Sequence, residues 1–229
     1  MEVVVNALVL RAVDYNENDK ILTLLTHERG KISAGMKGVK KPNAKLRFAA
    51  QPFCFAEYVL SERAGRFTVI NASENESFYD LRSDVTKFYA AATVTEVANA
   101  LSFEESECRE LFLESVKTLS RLCENGENES LLSFLLSVLK LSGYEINAEA
   151  DTSQFEKLYF SMENGAFSDK GLGASPTTFN VIRKLQGKSY DPSLINEDGE
   201  RRALKLINEY FLYKLNIHLK SLTEYINII

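Results

Sequence analysis

The hydrophobic period of the chain changes once, near Ser77, and that change limits the fold more than any other feature. Before it, apolar residues come in short runs: Val3–Ala12, Ile21–Thr26, Lys31–Met36, Phe53–Leu60 and Arg66–Asn71. Turn-forming residues separate them, at Asn16–Asp19, Arg29-Gly30, Lys41-Pro42-Asn43 and Ala64-Gly65. Short β-rich runs punctuated in this way predict strands. After Ser77, residues Phe78, Leu81, Val85, Phe88, Tyr89, Ala92, Val97 and Leu101 recur at three- and four-residue steps. That is the period of an amphipathic helix.

Strands first and helices afterwards give an α+β fold with segregated halves. Five short strands in about 70 residues fit a small closed barrel of the oligonucleotide-binding (OB) type. The expected organisation is therefore a barrel domain over 1–76 and a helical domain over 77–229. In Ile21–Thr26 and Phe53–Tyr58 both faces are apolar, so the barrel is expected to pack against something else. Within the second half, helices are expected over 77–101 and Glu110–Cys123, the latter stopped by Asn125-Gly126. The run Ser130–Leu141 is apolar nearly all round and predicts a buried central helix, closed by Gly143. Asn164-Gly165 predicts a hairpin within Leu158–Asp169. Ser175-Pro176 opens another helix as N-cap and first turn. A last helix is expected over Gly199–Tyr225, with Leu204, Ile207, Phe211, Leu215 and His218 on one side.

Several functions lose support from the residues alone. Cys54, Cys108 and Cys123 are far apart, which argues against a disulfide framework and for simple packing. His27 and His218 are the only histidines and belong to no HExxH or similar pair. No GxSxG elbow is present. Gly187-Lys188-Ser189 resembles the end of a P-loop, but Ile182 stands where the phosphate-wrapping loop needs glycine. Gly171-Leu172-Gly173 reads as a turn. The chain is therefore expected not to be an enzyme. No apolar run approaches the ~20 residues of a membrane span, and the N-terminus lacks the pattern of a signal peptide. A cytoplasmic location is expected.

The charge is distributed unevenly. The whole chain carries a formal net charge of -5. Its first 72 residues hold eleven Lys and Arg against seven Asp and Glu. The stretch Arg29–Arg47 holds seven basic residues and no acidic one. Cations on a loop beside a barrel can neutralise phosphates and release counterions. Aromatic side chains on the sheet can stack on bases, and Phe48, Phe53 and Phe55 are candidates. The bland alternative is a solvated basic loop.

The same residues resemble the bacterial recombination protein O (RecO) family, in its form without zinc. The resemblance rests on residues 9–53, with their "DKILTLLT", "GKI" and "KGVKK" segments and Ala50-Gln51-Pro52-Phe53, and on "YFLYKLNIHLKSL" at 210–222. It implies an N-terminal OB barrel, a helical domain and a recombination-mediator role in DNA repair. Proteins of this kind bind single- and double-stranded DNA and anneal complementary strands. They load recombinase onto DNA covered by single-stranded-DNA-binding protein, acting with recombination protein R and the C-terminal tail of the single-strand binder. They work in the bacterial cytoplasm at the nucleoid.

Carried onto this chain, the DNA-contact candidates are Lys20, Arg29, Lys31, Lys37, Lys40, Lys41, Lys45 and Arg47. Lys37, Lys40, Lys41 and Arg47 are favoured because they surround the long loop. Lys20 and Lys31 have Asp14, Glu17 and Glu28 as alternative partners. Arg183, Lys184, Lys188, Arg201, Arg202 and Lys205 are candidates for the rim of a groove taking the acidic, apolar tail. Many family members carry a four-cysteine zinc site near 145–175. Here that region has no cysteine or histidine, so the ligands that structural zinc requires are missing, and no cofactor is expected. The competing reading is an adaptor whose barrel docks proteins rather than DNA.

Overall fold

The computed structural model describes residues 1–104, 106–124, 126–150 and 156–229. The chain divides into two compact units, Met1–Asn125 and Gly126–Ile229. Asn125 of the expected helix stop, and residues 151–155 of the cysteine-free segment, lie outside the described residues.

In the first unit, β1 (Glu2–Tyr15), β2 (Asp19–Thr26), β3 (Gly30–Met36), β4 (Phe55–Arg63) and β5 (Arg66–Glu76) close a barrel in the order β1-β2-β3-β5-β4. This is the expected OB-type barrel. The alternation of strand side chains sends Val5, Ala7 and Val9, Leu22 and Leu24, Ile32, Ala34 and Met36, and Tyr58 and Leu60 into its interior. Burying each larger aliphatic side chain contributes about 1.5–3 kcal/mol. All neighbours run antiparallel except β3 and β5, whose parallel register is Ala34↔Phe67 and Gly35↔Thr68.

The long basic loop is built turn by turn. Lys40 N donates to Asn18 O, and Gly38 N donates to the Asp19 carboxylate at 2.8 Å. A short 3-10 turn, Phe48–Ala50, ends the loop, and Val39, Ala49 and Ala50 join the barrel core. The buried Tyr58 hydroxyl donates to Ala49 O at 2.7 Å and pins that turn.

The second apolar face of the strands has its expected covering. Leu8 and Leu25 pair across β1 and β2 and are fully buried. Helices α1 (Asp80–Ser83), α2 (Val85–Leu101) and α3 (Arg109–Cys123) complete this unit, with α2 on β1 and α3 on β2. Phe112 of α3 meets the rings of Phe55 and His27, and Phe88 of α2 meets Phe53. The change of period at Ser77 thus falls inside a compact unit, because these helices complete the barrel's outer packing.

Two helices expected to be continuous are broken. Asp84 is extended and caps α2 by accepting from Lys87 N at 2.8 Å, which separates α1 from α2. The last helix is two, α6 (Glu197–Leu215) and α7 (Lys220–Ile228). Asn216 between them is left-handed, with φ 54°, a conformation asparagine tolerates at helix ends. His218 consequently sits exposed in the link rather than on a helix face.

The second unit is built around α4 (Glu127–Leu141), which buries Leu131, Leu132, Phe134, Leu135, Val138 and Leu139. Its hairpin, β6 (Tyr159–Ser161) and β7 (Ala166–Ser168), turns at Gly165 with φ 64°. A third strand, β8 (Leu172–Gly173), extends the sheet to the order β7-β6-β8. Edge-to-face contacts of Phe160 with Phe167 and Tyr210, and of Phe167 with Phe179, hold it. Helix α5 (Pro176–Leu185) starts as expected, with Ser175 Oγ accepting from Thr178 N.

The connection leaving α2 lies along the start of β3. Lys31 N donates to Phe103 O at 3.1 Å, and Glu104 bridges Gly30 and Lys31. Gly30 has φ +66°, and an added Cβ would lie 2.0 Å from Ser106 O and 2.8 Å from Phe103 O. Gly30→Ala is therefore expected to lower stability by about 1–3 kcal/mol, measured as a lower urea midpoint. An unchanged midpoint would mean that the connection yields without cost.

Candidate nucleic-acid interface

The outward positions of β3 alternate as Lys31, Ser33 and Gly35. A cation followed by two small residues leaves a depression along the strand. Its walls come from the end of β1, the start of β2 and the start of β5. The result is a groove of about 550 Å³ lined by Lys20, Lys31, Lys37 and Arg66, by the rings of Tyr15 and Phe67, and by the carboxylates of Asp19 and Glu104. A shallower depression of about 450 Å³ shares Asp19 and Lys37 and adds Lys41. Cations beside aromatic rings in a concave sheet surface suit a polyanion with stackable bases.

The acidic residues decide which cations are free. Asp14 accepts a hydrogen bond from Lys40 Nζ at 2.7 Å and lies 3.8 Å from Lys20. The Lys40 bond is the main cause that holds the Asp14 carboxyl below its usual range. Arg29 pairs with Glu62 at 3.6 Å. Lys31 Nζ donates to Asn99 O at 2.8 Å, and Arg47 to Lys41 O at 2.8 Å. Lys37, Lys41 and Lys45 are exposed and make no ion pair among the described residues. Asp19 is drawn below the usual carboxylate range chiefly by the Gly38 amide it accepts from, with smaller contributions from Lys37 and Lys41.

Of the eight candidates, then, Lys20, Lys31 and Lys37 line one groove, and Lys41 continues it. Arg29, Lys40, Lys45 and Arg47 line neither depression. The three candidate stacking rings are engaged elsewhere. Phe53 is buried against Phe88, Phe55 packs on Phe112, and Phe48 packs on the barrel core. Sequence reasoning missed Arg66, Phe67 and Tyr15. Arg66 follows the Ala64-Gly65 turn, whose residues both have positive φ (51° and 72°). Nothing local in the sequence signals that β5 runs beside β3.

In the second unit the six tail candidates separate. Arg201, Arg202 and Lys205 line a groove of about 530 Å³ with Leu172, Leu206 and Thr178. Arg202 pairs with Asp198 at 2.8 Å, and Arg201 Nε donates to Ile226 O. Arg183, Lys184 and Lys188 lie outside that groove and are internally engaged. Arg183 donates to Ser189 O and Ala148 O and stacks over Phe179. Lys184 pairs with Glu129 at 2.7 Å, a bond that raises its pKa, and Lys188 pairs with Glu149 at 3.3 Å.

Among the described residues no group of three or more His, Cys, Asp and Glu is placed to hold a metal ion. Cys54 is packed in the barrel core, and that burial pushes its thiol up to about 11, which disfavours the thiolate. No described helix is long and apolar enough to cross a membrane.

Two family profiles match the chain. "Recombination protein O N terminal" matches residues 1–77 and "Recombination protein O C terminal" matches 82–223. Among curated relatives, "DNA repair protein RecO" of Desulforamulus reducens is 32% identical over 97% of this chain and 93% of its own length. The protein of that name from Clostridium perfringens is 30% identical over 80% of each chain. That from Heliobacterium modesticaldum is 46% identical over 44% of this chain, a match spanning only 37% of the relative.

Because Asp19 is lowered in the folded protein, its support of the Gly38 turn is complete above the ordinary aspartate pKa of about 3.9. That support is lost as pH falls through the lowered folded value. Asp19→Ala is expected to speed hydrogen exchange of the Gly38 amide at neutral pH, read by NMR. Unchanged exchange would show that the turn does not need the carboxylate.

Proposed function

The chain belongs to the recombination protein O family, and from that premise we propose that it is a DNA repair protein acting as a recombination mediator, without catalytic chemistry of its own. The observation that carries this reading is the groove across β2, β3 and β5, where Lys20, Lys31, Lys37 and Arg66 stand beside Tyr15 and Phe67. Lys37 and Arg66 neutralise phosphates, Lys41 extends the track, and the two rings offer faces for bases. Contacts of this kind give affinity and register without reading sequence, which suits a protein that must hold any damaged or exposed strand. Single- and double-stranded DNA both present the required phosphates. The mediator role follows the family premise: annealing of complementary strands, and recombinase loading together with recombination protein R on DNA covered by single-stranded-DNA-binding protein. The protein acts in the cytoplasm at the nucleoid.

The groove of the second unit is the place for an acidic, apolar peptide tail such as that of the single-strand binder. Leu172 supplies exposed apolar surface above the buried Leu206, and Lys205 together with the Asp198-paired Arg202 supplies the cationic rim. Arg183, Lys184 and Lys188 are left out of this assignment because they lie outside that groove.

The adaptor reading draws on one observation: several barrel cations are paired with acidic neighbours, in a chain of net charge -5. Salt dependence separates the two readings. Titration of a fluorescent single-stranded oligonucleotide at several salt concentrations is expected to give steeply salt-dependent binding. Neutralising Lys37, Lys41 and Arg66 to Gln is expected to flatten the slope by about one unit per lost contact, while Lys40→Gln changes little. Absence of binding at low salt, or a slope indifferent to the triple substitution, would move the adaptor reading ahead.

A second test addresses the tail. Arg202→Ala with Lys205→Ala is expected to weaken an acidic, apolar C-terminal peptide by about two- to fivefold per charge, without changing oligonucleotide affinity. Equal peptide binding by the variant would remove this groove from the assignment.

A further inference from the structure

The groove contains two carboxylates among its four cations, and they are not equivalent. Asp19 is occupied in accepting the Gly38 amide and Asn16 Nδ2. Glu104 is different. It arrives from outside the barrel, on the connection that leaves α2 at Ser102. Its side chain makes no hydrogen bond or ion pair among the described residues. Its position is set by main chain alone, through the Phe103 O bond to Lys31 N and the bridge to Gly30 and Lys31.

The place where this segment lies is an open strand edge. β3 pairs with β5 only at Ala34 and Gly35, so the first residues of β3 lack a barrel partner on that side. Phe103 and Glu104 take that edge as a substitute strand. The hold is slight. The Phe103 side chain is 69% exposed and buries little. Ser102 Oγ is buried without a partner, and Cys108 gives no side-chain cap to the start of α3. Glu104 of this segment lines the groove with Lys31, Lys37 and Arg66, so a carboxylate stands where a strand phosphate would approach.

We infer that the Phe103–Glu104 segment is a displaceable anionic strap: Glu104 stands among the groove cations in place of a phosphate, and an entering strand turns it out. The inference rests on the proposed DNA-binding role of the groove. The strap would restrain a groove that otherwise invites any polyanion, and would let a bound strand free the β3 edge.

The test uses the full chain with three variants and a fluorescent single-stranded oligonucleotide. Glu104→Gln keeps the main-chain bridge and removes the charge. Glu57→Gln, at an exposed position of β4, removes the same charge elsewhere on the barrel. Lys37→Glu with Arg66→Glu reverses the groove's own cations. Glu104→Gln is expected to bind about three- to tenfold tighter than wild type at low salt, the gain fading at high salt as screening shortens. Glu57→Gln is expected to show no such gain. Hydrogen exchange of the Lys31 amide should accelerate when the oligonucleotide binds wild type. The strap is overturned if Glu104→Gln matches wild type, if Glu57→Gln gains equally, or if the Lys31 amide becomes more protected on binding. If the groove reversal abolishes binding in those cases, only the strap is lost. If the reversal leaves binding intact, or neither wild type nor Glu104→Gln binds, the DNA reading of the groove falls and the strap falls with it. Binding by Glu104→Gln alone would be the strongest support.

Discussion

Closure of the barrel depends on a short parallel contact between β3 and β5, at Ala34↔Phe67 and Gly35↔Thr68. All other strand pairs are antiparallel neighbours with extensive registers. This contact joins strands far apart in sequence, and three features follow from it. The aliphatic interior is sealed. Arg66 and Phe67 are carried next to Lys31 and Lys37. The first residues of β3 keep an open edge, because only two of its residues reach β5. The groove and the strap are both consequences of that partial closure. Edges left open in a sheet attract pairing, and here the chain supplies its own.

The basic stretch Arg29–Arg47 is not a uniform cationic patch once folded. Acidic residues distant in sequence select among its charges. Asp14 takes Lys40, Glu62 takes Arg29, and the Asn99 carbonyl takes the Lys31 ammonium. Exposed pairs of this sort contribute little to stability, so their effect is mainly on which cations remain available. Lys37 and Lys41 remain on the groove, and Arg66 joins them from β5. An acid-free segment in an acidic chain thereby becomes a narrow track of cations rather than a general polyanion surface.

In the second unit an aromatic cluster does the work of holding the small sheet. Phe160, Phe167, Phe179 and Tyr210 pack edge to face at centroid distances of 4.8–5.3 Å. Such pairs add about 0.5–1.5 kcal/mol each beyond area burial. A hairpin this short is marginal in isolation. Its packing on α5 and α6 gives it a definite position without metal ligands, and Leu172 of β8 thereby comes to line the groove with Arg202 and Lys205.

Local chemistry was enough to read the five strands, the buried helix α4, the Ser175-Pro176 helix start and the Gly165 turn from the sequence. Each rests on periodicity, capping or a turn residue acting over a few positions. The same locality explains the errors. Asp84 and Asn216 interrupt periodic patterns with single residues whose capping or left-handed conformation outweighs the apolar period. Phe48, Phe53 and Phe55 are apolar in any reading, but whether a ring faces a ligand or a helix depends on what packs outside the barrel. Determined by the sequence itself were the β-then-α order, the charge asymmetry, and the lack of cysteine and histidine in the hairpin region. Tertiary structure alone decided which cations are free, that Arg66 joins Lys37, and that Glu104 stands among them. Those outcomes arise from contacts between residues tens of positions apart, and side-chain charge and spacing along a chain do not encode such distances until the barrel has closed.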